Sequence, residues 1–461
     1  MGTPTSLPPA PATRRRGRVH RAWIVAGITF LTLVVAAIAR SSTGILLEPV
    51  EAEFGWSRTV TSSAVSVTLL MYGLTSPFAA ALAERFGLRR VVTSALLLVA
   101  MGTGLTLVMT DPWQLFALWG LVIGIGTGSL ALVFGAIVAN RWFVARRGLV
   151  MGVFSAAFAT GQLALLPVLA RLVVDHGWRA AAASTCLLAA VLVPLASGWL
   201  ADRPSAVGVR PYGADPLAPV EPVPPRPEGG LWTAMRRALG ELRRAAGSPA
   251  FWLLAGTFFV CGWSTNGLIG THLVAAAHDH GMPPTTAASL LALIGAFDII
   301  GTVGSGWLSD RVDPRLLLLT YYGLRGLSLL GLSSVLGRSV DAPLLVFVVF
   351  YGLDWVATVP PTVALCRQAF GVERAGVVFG WVFAAHQFGA AAAAAFAGTV
   401  RELTGSYTPA WFAAGALCLV AAVAALLVPR TPAPAFLVPE PSVPEPSVPE
   451  PSAPEPSAPP A

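Results

Sequence analysis

The sequence predicts an all-α membrane protein of twelve transmembrane helices arranged as two pseudo-symmetric six-helix halves. Three observations carry this reading: apolar runs of bilayer length recur along the chain, arginines keep to alternate loops, and a set of spaced motifs returns in the second half. The 461 residues are 55% hydrophobic and only 11% charged, with a mean hydropathy of +0.70. Soluble domains carry about 25% charge, so a large water-soluble core is excluded.

Twelve runs approach the roughly 20 residues that cross a bilayer as helix: 22–46, 60–82, 90–110, 113–139, 147–171, 179–201, 250–275, 285–308, 315–336, 342–364, 375–400 and 408–429. In lipid the backbone must satisfy its own hydrogen bonds, which leaves helices or a closed barrel, and barrel strands are about half as long. The runs are therefore read as helices. They divide the chain into an N-terminal tail (1–21), a first half (22–201), a central loop (202–249), a second half (250–430) and a C-terminal tail (431–461).

All thirty basic residues are Arg. With the N-terminus inside, twenty-three fall in inside segments, five outside (Arg58, Arg171, Arg179, Arg338, Arg401) and two, Arg40 and Arg325, within the membrane. This asymmetry predicts a multi-pass cell-membrane protein with both termini cytoplasmic. It also turns the net charge of +7 into a topology signal, so no nucleic-acid partner is expected. The first run, with Ala37-Ile38-Ala39, has features of a signal peptide, but it continues through Leu47 and the repeat needs it as a helix. Cys186, Cys261, Cys366 and Cys418 are scattered over different runs, as reduced core residues would be.

The repeat has a nearly constant offset. Gly55 and Gly281 follow the first and seventh runs, 226 residues apart. Ala80, Glu84, Arg85 and Arg89 after the second run match Gly306, Asp310, Arg311 and Arg315 after the eighth, again 226 apart. Gly148, Gly152, Gly161 and Gly177 match Gly376, Gly380, Gly389 and Gly405 at 228. One ordered series links three regions of each half.

In the central loop, Leu231, Trp232, Met235, Leu239 and Leu242 share one side of a helix, and Arg236, Arg237, Arg243 and Arg244 the other. That pattern suits either an interfacial helix on an anionic leaflet or a solvated linker helix. From Pro439 the chain repeats Pro-Glu-Pro-Ser with Val and Ala spacers, a composition expected to stay extended and disordered.

Six plus six helices, the acid-Arg loop motif after the second and eighth runs, and a Pro-rich loop between halves resemble the major facilitator superfamily over residues 20–430. The resemblance implies that Glu84, Arg85 and Arg89, with Gly306, Asp310, Arg311 and Arg315, form gating loops that latch one of two alternating states. Their physics is legible: Gly306 lets two helices approach, and an acid near a helix N-terminus is stabilised by the helix dipole. Glu84 for the usual Asp, and Ala80 for the usual Gly, predict a looser first latch. Phe54-Gly55-Trp56-Ser57-Arg58, Trp142-Phe143 with Arg146-Arg147-Gly148, and Gly177-Trp178-Arg179 are similar to the monocarboxylate and oxalate-formate transporter branch, which implies small organic anions as substrates. The branch's Lys in the eleventh helix is absent, and its Asp and Arg one turn apart in the eighth helix are Asp298 and Thr302 here.

A charge within lipid costs about 3 kcal/mol or more without a partner or water, so such residues mark candidate pathways. Arg325 and Asp354 fall at equal depth on either side of the loop between the ninth and tenth runs, as a structural ion pair or as substrate ligands. Asp298 is suited to carry a proton or to be a satisfied polar core residue. His386, followed by Gln387, suits proton coupling, anion contact or an interhelical hydrogen bond. Arg40 either snorkels outward or meets an anion; Asn266 occupies the matching position 226 residues on. His272, His278 and His280 fit no rigid metal-ligand set, and no metal or cofactor is expected.

The expected function is secondary active transport of a small solute, an organic anion such as a monocarboxylate, by alternating access, with protons as a coupling ion and the bilayer as surroundings. The chain has no Lys, hence no phosphate-binding GxxxxGK[ST] loop, and no catalytic cluster, so it is not read as an enzyme. A non-transporting receptor on the same fold and an efflux carrier for a hydrophobic compound are the alternatives.

Overall fold

The structure, a computed structural model, describes residues 19–163, 166–215, 217 and 228–429. The Pro-Glu-Pro-Ser tail and the basic cluster Arg14 to Arg18 lie outside the described residues, as does part of the central loop. Eleven helices among the described residues are long and apolar enough to cross a membrane. The first half contains α1 (Arg21–Phe54), α2 (Arg58–Phe86), α3 (Leu88–Thr106), α4 (Pro112–Trp142) and α6 (Trp178–Trp199). Its fifth member, α5, comprises Arg147–Leu163 and Leu166–His176. The second half contains α7 (Pro249–Asp279), α8 (Pro284–Ser309), α9 (Pro314–Val335), α10 (Ala342–Phe370), α11 (Val372–Thr404) and α12 (Thr408–Leu426). Each takes the place of one apolar run.

The ends of the helices follow from the repeat. The first run continues past residue 46 to Phe54, where Gly55 turns with φ 67° and returns its N–H to Glu51 O. Gly281, just after α7, has φ 84°. Both need the left-handed conformation that a Cβ disfavours, which accounts for a glycine at this point in each half.

Among the described residues, three helices depart from regular α geometry. α4 widens to a π-helical stretch at Phe116–Ile123 and α7 at Trp263–Ile269. α10, read from sequence as one run, is broken into Ala342–Asp354 and Val359–Phe370. Pro360 and Pro361 have no N–H to return to Val356 and Ala357, so the helix cannot continue through them. Of the carbonyls so freed, Ala357 O accepts from Ser305 Oγ at 2.5 Å; at the same break Arg325 Nη2 donates to Asp354 O and Trp355 O at 2.5 and 3.2 Å.

The halves meet along α5 with α8 and α2 with α11. A Cβ placed on Gly306 of α8 would collide with the carbonyl of Gly148 on α5 and lie 2.8 Å from the Gly152 Cα. A Cβ on Gly380 of α11 would lie 2.6 Å from the Cα of Pro77 on α2. These close approaches sit at one end of the bundle, the latch end, where the central loop also lies. There Tyr212 exchanges backbone hydrogen bonds with Trp142 and Val144, each at 2.8 Å.

The central-loop helix, Leu231–Ala246, packs against α2, α11 and α7. Its bundle-facing side is neither the leucine side nor the arginine side that the sequence pattern separates. Ala234, Ala238, Glu241 and Ala245 are buried, and Trp381 of α11 donates its indole N–H to Ala238 O at 3.0 Å. Leu231, Trp232 and Leu239 remain 50–63% exposed.

Candidate functional site

Between the halves lies a cavity of about 830 Å³. Its wall comes from α1, α2, α5, α7, α8, α10 and α11, from the parts of each helix away from the latch end. Arg40, Ser66, Asn266, Thr271, Asp298 and Gln387 supply polar groups to a wall that is otherwise apolar, with Leu70, Phe158, Leu291, Trp355 and Phe388 prominent. Leu70 and Phe388 are still 47% and 48% exposed, so the wall reaches solvent. A small adjoining pocket shares Arg40, Asn266 and Gln387 and adds Tyr72, Cys261 and His386.

Arg40 lies in this wall instead of extending toward the end of its helix. Its guanidinium carbon is 5.1 Å from the Tyr72 ring centroid and 4.7 Å from that of Phe158, a cation–π arrangement on two faces. The buried Nε has no hydrogen-bond partner among the described residues, and no carboxylate among them pairs with this cation. Asn266, its counterpart in the repeat, sits in the π-helical stretch of α7, where its amide nitrogen is 3.4 Å from His386 Nε2. His386 is packed against the rings of Phe258 and Phe383, at centroid distances of 4.8 and 6.0 Å. Its buried Nδ1 has no hydrogen-bond partner among the described residues. Gln387 is where α11 comes close to α2: a Cβ on Gly73 would lie 2.9 Å from the Gln387 Cβ.

Asp298 is buried in α8 and borders the cavity. Its Oδ1 accepts hydrogen bonds from Thr302 Oγ1 at 2.6 Å and from the backbone N–H of Val356 at 2.9 Å. The Val356 N–H is available because α10 is broken there. Oδ2 has no hydrogen-bond partner among the described residues and is the oxygen available to a proton. Asp298 thus satisfies the broken helix with one oxygen and keeps the other uncommitted.

Arg325 and Asp354 meet at 2.5 Å between Nε and Oδ2, as their matching depth predicts. The pair does not line the central cavity. It lies behind the wall, at the base of a groove between α9 and α10 bordered by Leu324, Leu327, Val346 and Phe350. Besides the two carbonyls of α10, the guanidinium reaches Cys261 Sγ and Ser264 Oγ on α7, both at 3.3 Å. One arginine therefore ties α7, α9 and α10 together.

The loop motifs diverge between the halves. Asp310 accepts from the backbone N–H groups of Gly148 and Leu149 at 2.6 and 3.0 Å, capping the N-terminus of α5 in the opposite half, where a carboxylate is favoured by the helix dipole. Arg311 lies over the Trp307 ring at 4.0 Å, and Arg315 pairs with Asp313 at 2.6 Å. Glu84 makes no hydrogen bond among the described residues; it sits within electrostatic reach of Arg141 and Arg237. Arg85 Nε donates to Gly229 O at 2.6 Å, and the Arg89 N–H to Asp202 at 2.9 Å.

The link between halves on the first-latch side is one that sequence reasoning missed. Arg203 makes a two-pronged ion pair with Glu373 at the start of α11, at 2.8 and 2.9 Å. Its two members lie outside the repeated motif, so no spacing pointed to them. The break in α10 was signalled by Val359-Pro360-Pro361-Thr362, inside a run whose apolar character hid it.

Comparison with known proteins agrees with this geometry. The family model described as Major Facilitator Superfamily matches residues 29–394 and again 273–454. Monocarboxylate transporter 13 of Rattus norvegicus is 28% identical over 411 residues, covering 88% of this chain and 88% of that one. An uncharacterized MFS-type transporter, YcxA, of Bacillus subtilis (strain 168) is 25% identical over 390 residues, covering 84% and 90%. Among solved structures, the major facilitator transporter FucP in the outward conformation superposes with a TM-score of 0.65 at 15% identity, covering 89% of this chain and 100% of that one. The human organic anion transporter MFSD10 gives 0.64 at 17%, covering 88% and 100%; both likenesses are of fold. Since the family model spans both six-helix halves and the cavity between them, this protein belongs to the major facilitator superfamily and is a multi-pass membrane transporter.

Proposed function

We propose that this protein carries an organic anion across the cell membrane by alternating access, coupled to protons, with both termini in the cytoplasm. The observation that carries the reading is Arg40, a cation in the cavity wall that no carboxylate of the described residues neutralises. A guanidinium so placed offers a forked donor to a carboxylate. Asn266 and Gln387 add neutral hydrogen-bonding groups to the same wall. The apolar remainder and the volume, within the roughly 300–1,000 Å³ of sites for drug-sized ligands, favour a monocarboxylate with a sizeable apolar body. The similarity to proteins named as monocarboxylate transporters supports the same class.

Asp298 is the proposed proton carrier. It borders the cavity and holds an uncommitted oxygen, and a proton taken there would accompany the anion inward. The latch end closes the cavity by Asp310 on α5 and Arg203 on Glu373. With the arginine asymmetry placing that end in the cytoplasm, the arrangement supports an outward-facing state.

A thermal-shift screen of purified protein against organic monocarboxylates tests the reading. A ligand at 100 times its Kd adds about 2.7 kcal/mol of stability, so binders separate clearly. The expected result is stabilisation by acids with an apolar body, lost with their amides and lost in Arg40→Gln. Stabilisation by neutral lipophiles equal to that by acids, unchanged in Arg40→Gln, would contradict it in favour of an efflux carrier for hydrophobic compounds.

A further inference from the structure

The central-loop helix Leu231–Ala246 is tied to both halves. Just before its first turn, Gly229 O accepts from Arg85 at the end of α2 in the first half. Along its length, Ala238 O accepts from Trp381 of α11 in the second half, and only Gly247 and Ser248 separate its end from α7. Separation of α2 from α11, which opening of the latch end requires, must break the Arg85 tie or pull the helix out of its place. The helix is a strap across the closed gate.

The side of the strap opposite its buried alanines is unusual for a soluble surface. Trp232 and Leu239 are seven residues apart, as are Arg236 and Arg243, so the four recur on one face of the helix. All are exposed, and the Arg236 guanidinium lies over the Trp232 ring at 5.4 Å. Arg244 is occupied by Glu241 at 2.9 Å, whereas Arg236 and Arg243 have no ion pair among the described residues. The exposed indoles of Trp199, Trp252 and Trp307, at the same end of the bundle, mark an interfacial belt at that level. An apolar stripe flanked by unpaired arginines, held at the rim of a membrane-spanning bundle, is complementary to anionic phospholipid and to no neutral surface.

We propose that this face docks on anionic phospholipid of the adjoining leaflet, and that the lipid so bound holds the strap across α2 and α11 and favours the latch-closed state. A ligand shifts a two-state equilibrium only through its preference for one state. Here the preference arises because the strap presents its whole face to the leaflet only while both of its ends are tied. The proposal is independent of which solute is carried, and it needs no assignment of membrane sidedness when both leaflets hold the lipid.

The test uses spin labels on Val144→Cys and Val312→Cys, exposed loop residues of the first and second halves at the latch end, in a Cys186→Ala background. Distances are measured by double electron–electron resonance in nanodiscs of phosphatidylcholine with or without phosphatidylglycerol. The expected result is a larger short-distance population with phosphatidylglycerol. The double variant Arg236→Gln, Arg243→Gln should reduce that shift by up to about fivefold per arginine, and Trp232→Ser with Leu239→Ser should reduce it also. All four side chains are exposed, so the fold is retained. Equal lipid shifts in the parent and the variants, or no shift in any of them, would overturn the proposal.

Discussion

Arg40 is held by two aromatic faces, so its guanidinium is oriented before any anion arrives and little side-chain entropy is lost on binding. A charged hydrogen bond contributes about 1.5–3 kcal/mol. Arg40→Gln is therefore expected to weaken anion binding by about 10- to 100-fold, as read by isothermal calorimetry with the best acid from the screen. Arg40→Lys keeps the charge but loses the fork, and an intermediate affinity is expected. Equal losses in the two variants would assign the effect to packing against Tyr72 and Phe158 instead of charge. His386 offers a contrast: its ring is enclosed by Phe258 and Phe383, and its Asn266 contact is long at 3.4 Å. His386→Gln is expected to change binding less than Arg40→Gln.

At the scale of elements, the broken α10 organises the second half. Asp298, Ser305 and Arg325 each supply a group to the backbone at the break. Removing one member of a buried ion pair costs about 3–5 kcal/mol, because its partner is left charged and alone. Arg325→Met should thus lower the melting temperature markedly in detergent. The double variant Arg325→Met, Asp354→Leu should recover only part, since Asp354 O and Trp355 O lose their donor in both. Full recovery would mean that the carboxylate alone needs the arginine. On the other contact surface, a methyl on Gly306 meets the Gly148 carbonyl, which is backbone and cannot swing away. Gly306→Ala is expected to open the latch end and to raise the labelling rate, by a thiol reagent, of Ile137→Cys, a position buried in the first half close to Gly376 of the second. An unchanged rate would remove this contact from the gate.

For the whole molecule, twelve helices and two halves were legible because lipid imposes one rule, continuous apolar helix, and the repeat imposes it twice. Helix ends were legible where a glycine needs positive φ, as at Gly55, and illegible where apolar character runs on, as in α10. Arg40, Asn266, Asp298 and Gln387 were singled out as charged or polar residues in apolar runs, and all four border one cavity. What sequence could not supply is helix rotation. It decides that Arg325 and Asp354 stand behind the wall, that Trp355 and Phe388 enter it, and that alanines of the strap face the bundle. The ion pair of Arg203 with Glu373 was invisible because it joins positions 170 residues apart with no motif to relate them.

The cavity cation and the uncommitted carboxylate make one claim together: anion and proton travel in the same cycle. In proteoliposomes with an imposed pH gradient, the parent protein should accumulate the anion that Arg40 binds. Asp298→Asn keeps an oxygen to accept from Thr302 and Val356 but loses the site for the proton. It should abolish gradient-driven accumulation while leaving exchange of anion for anion across the membrane. Full accumulation by the Asp298→Asn protein under the same gradient would contradict the account.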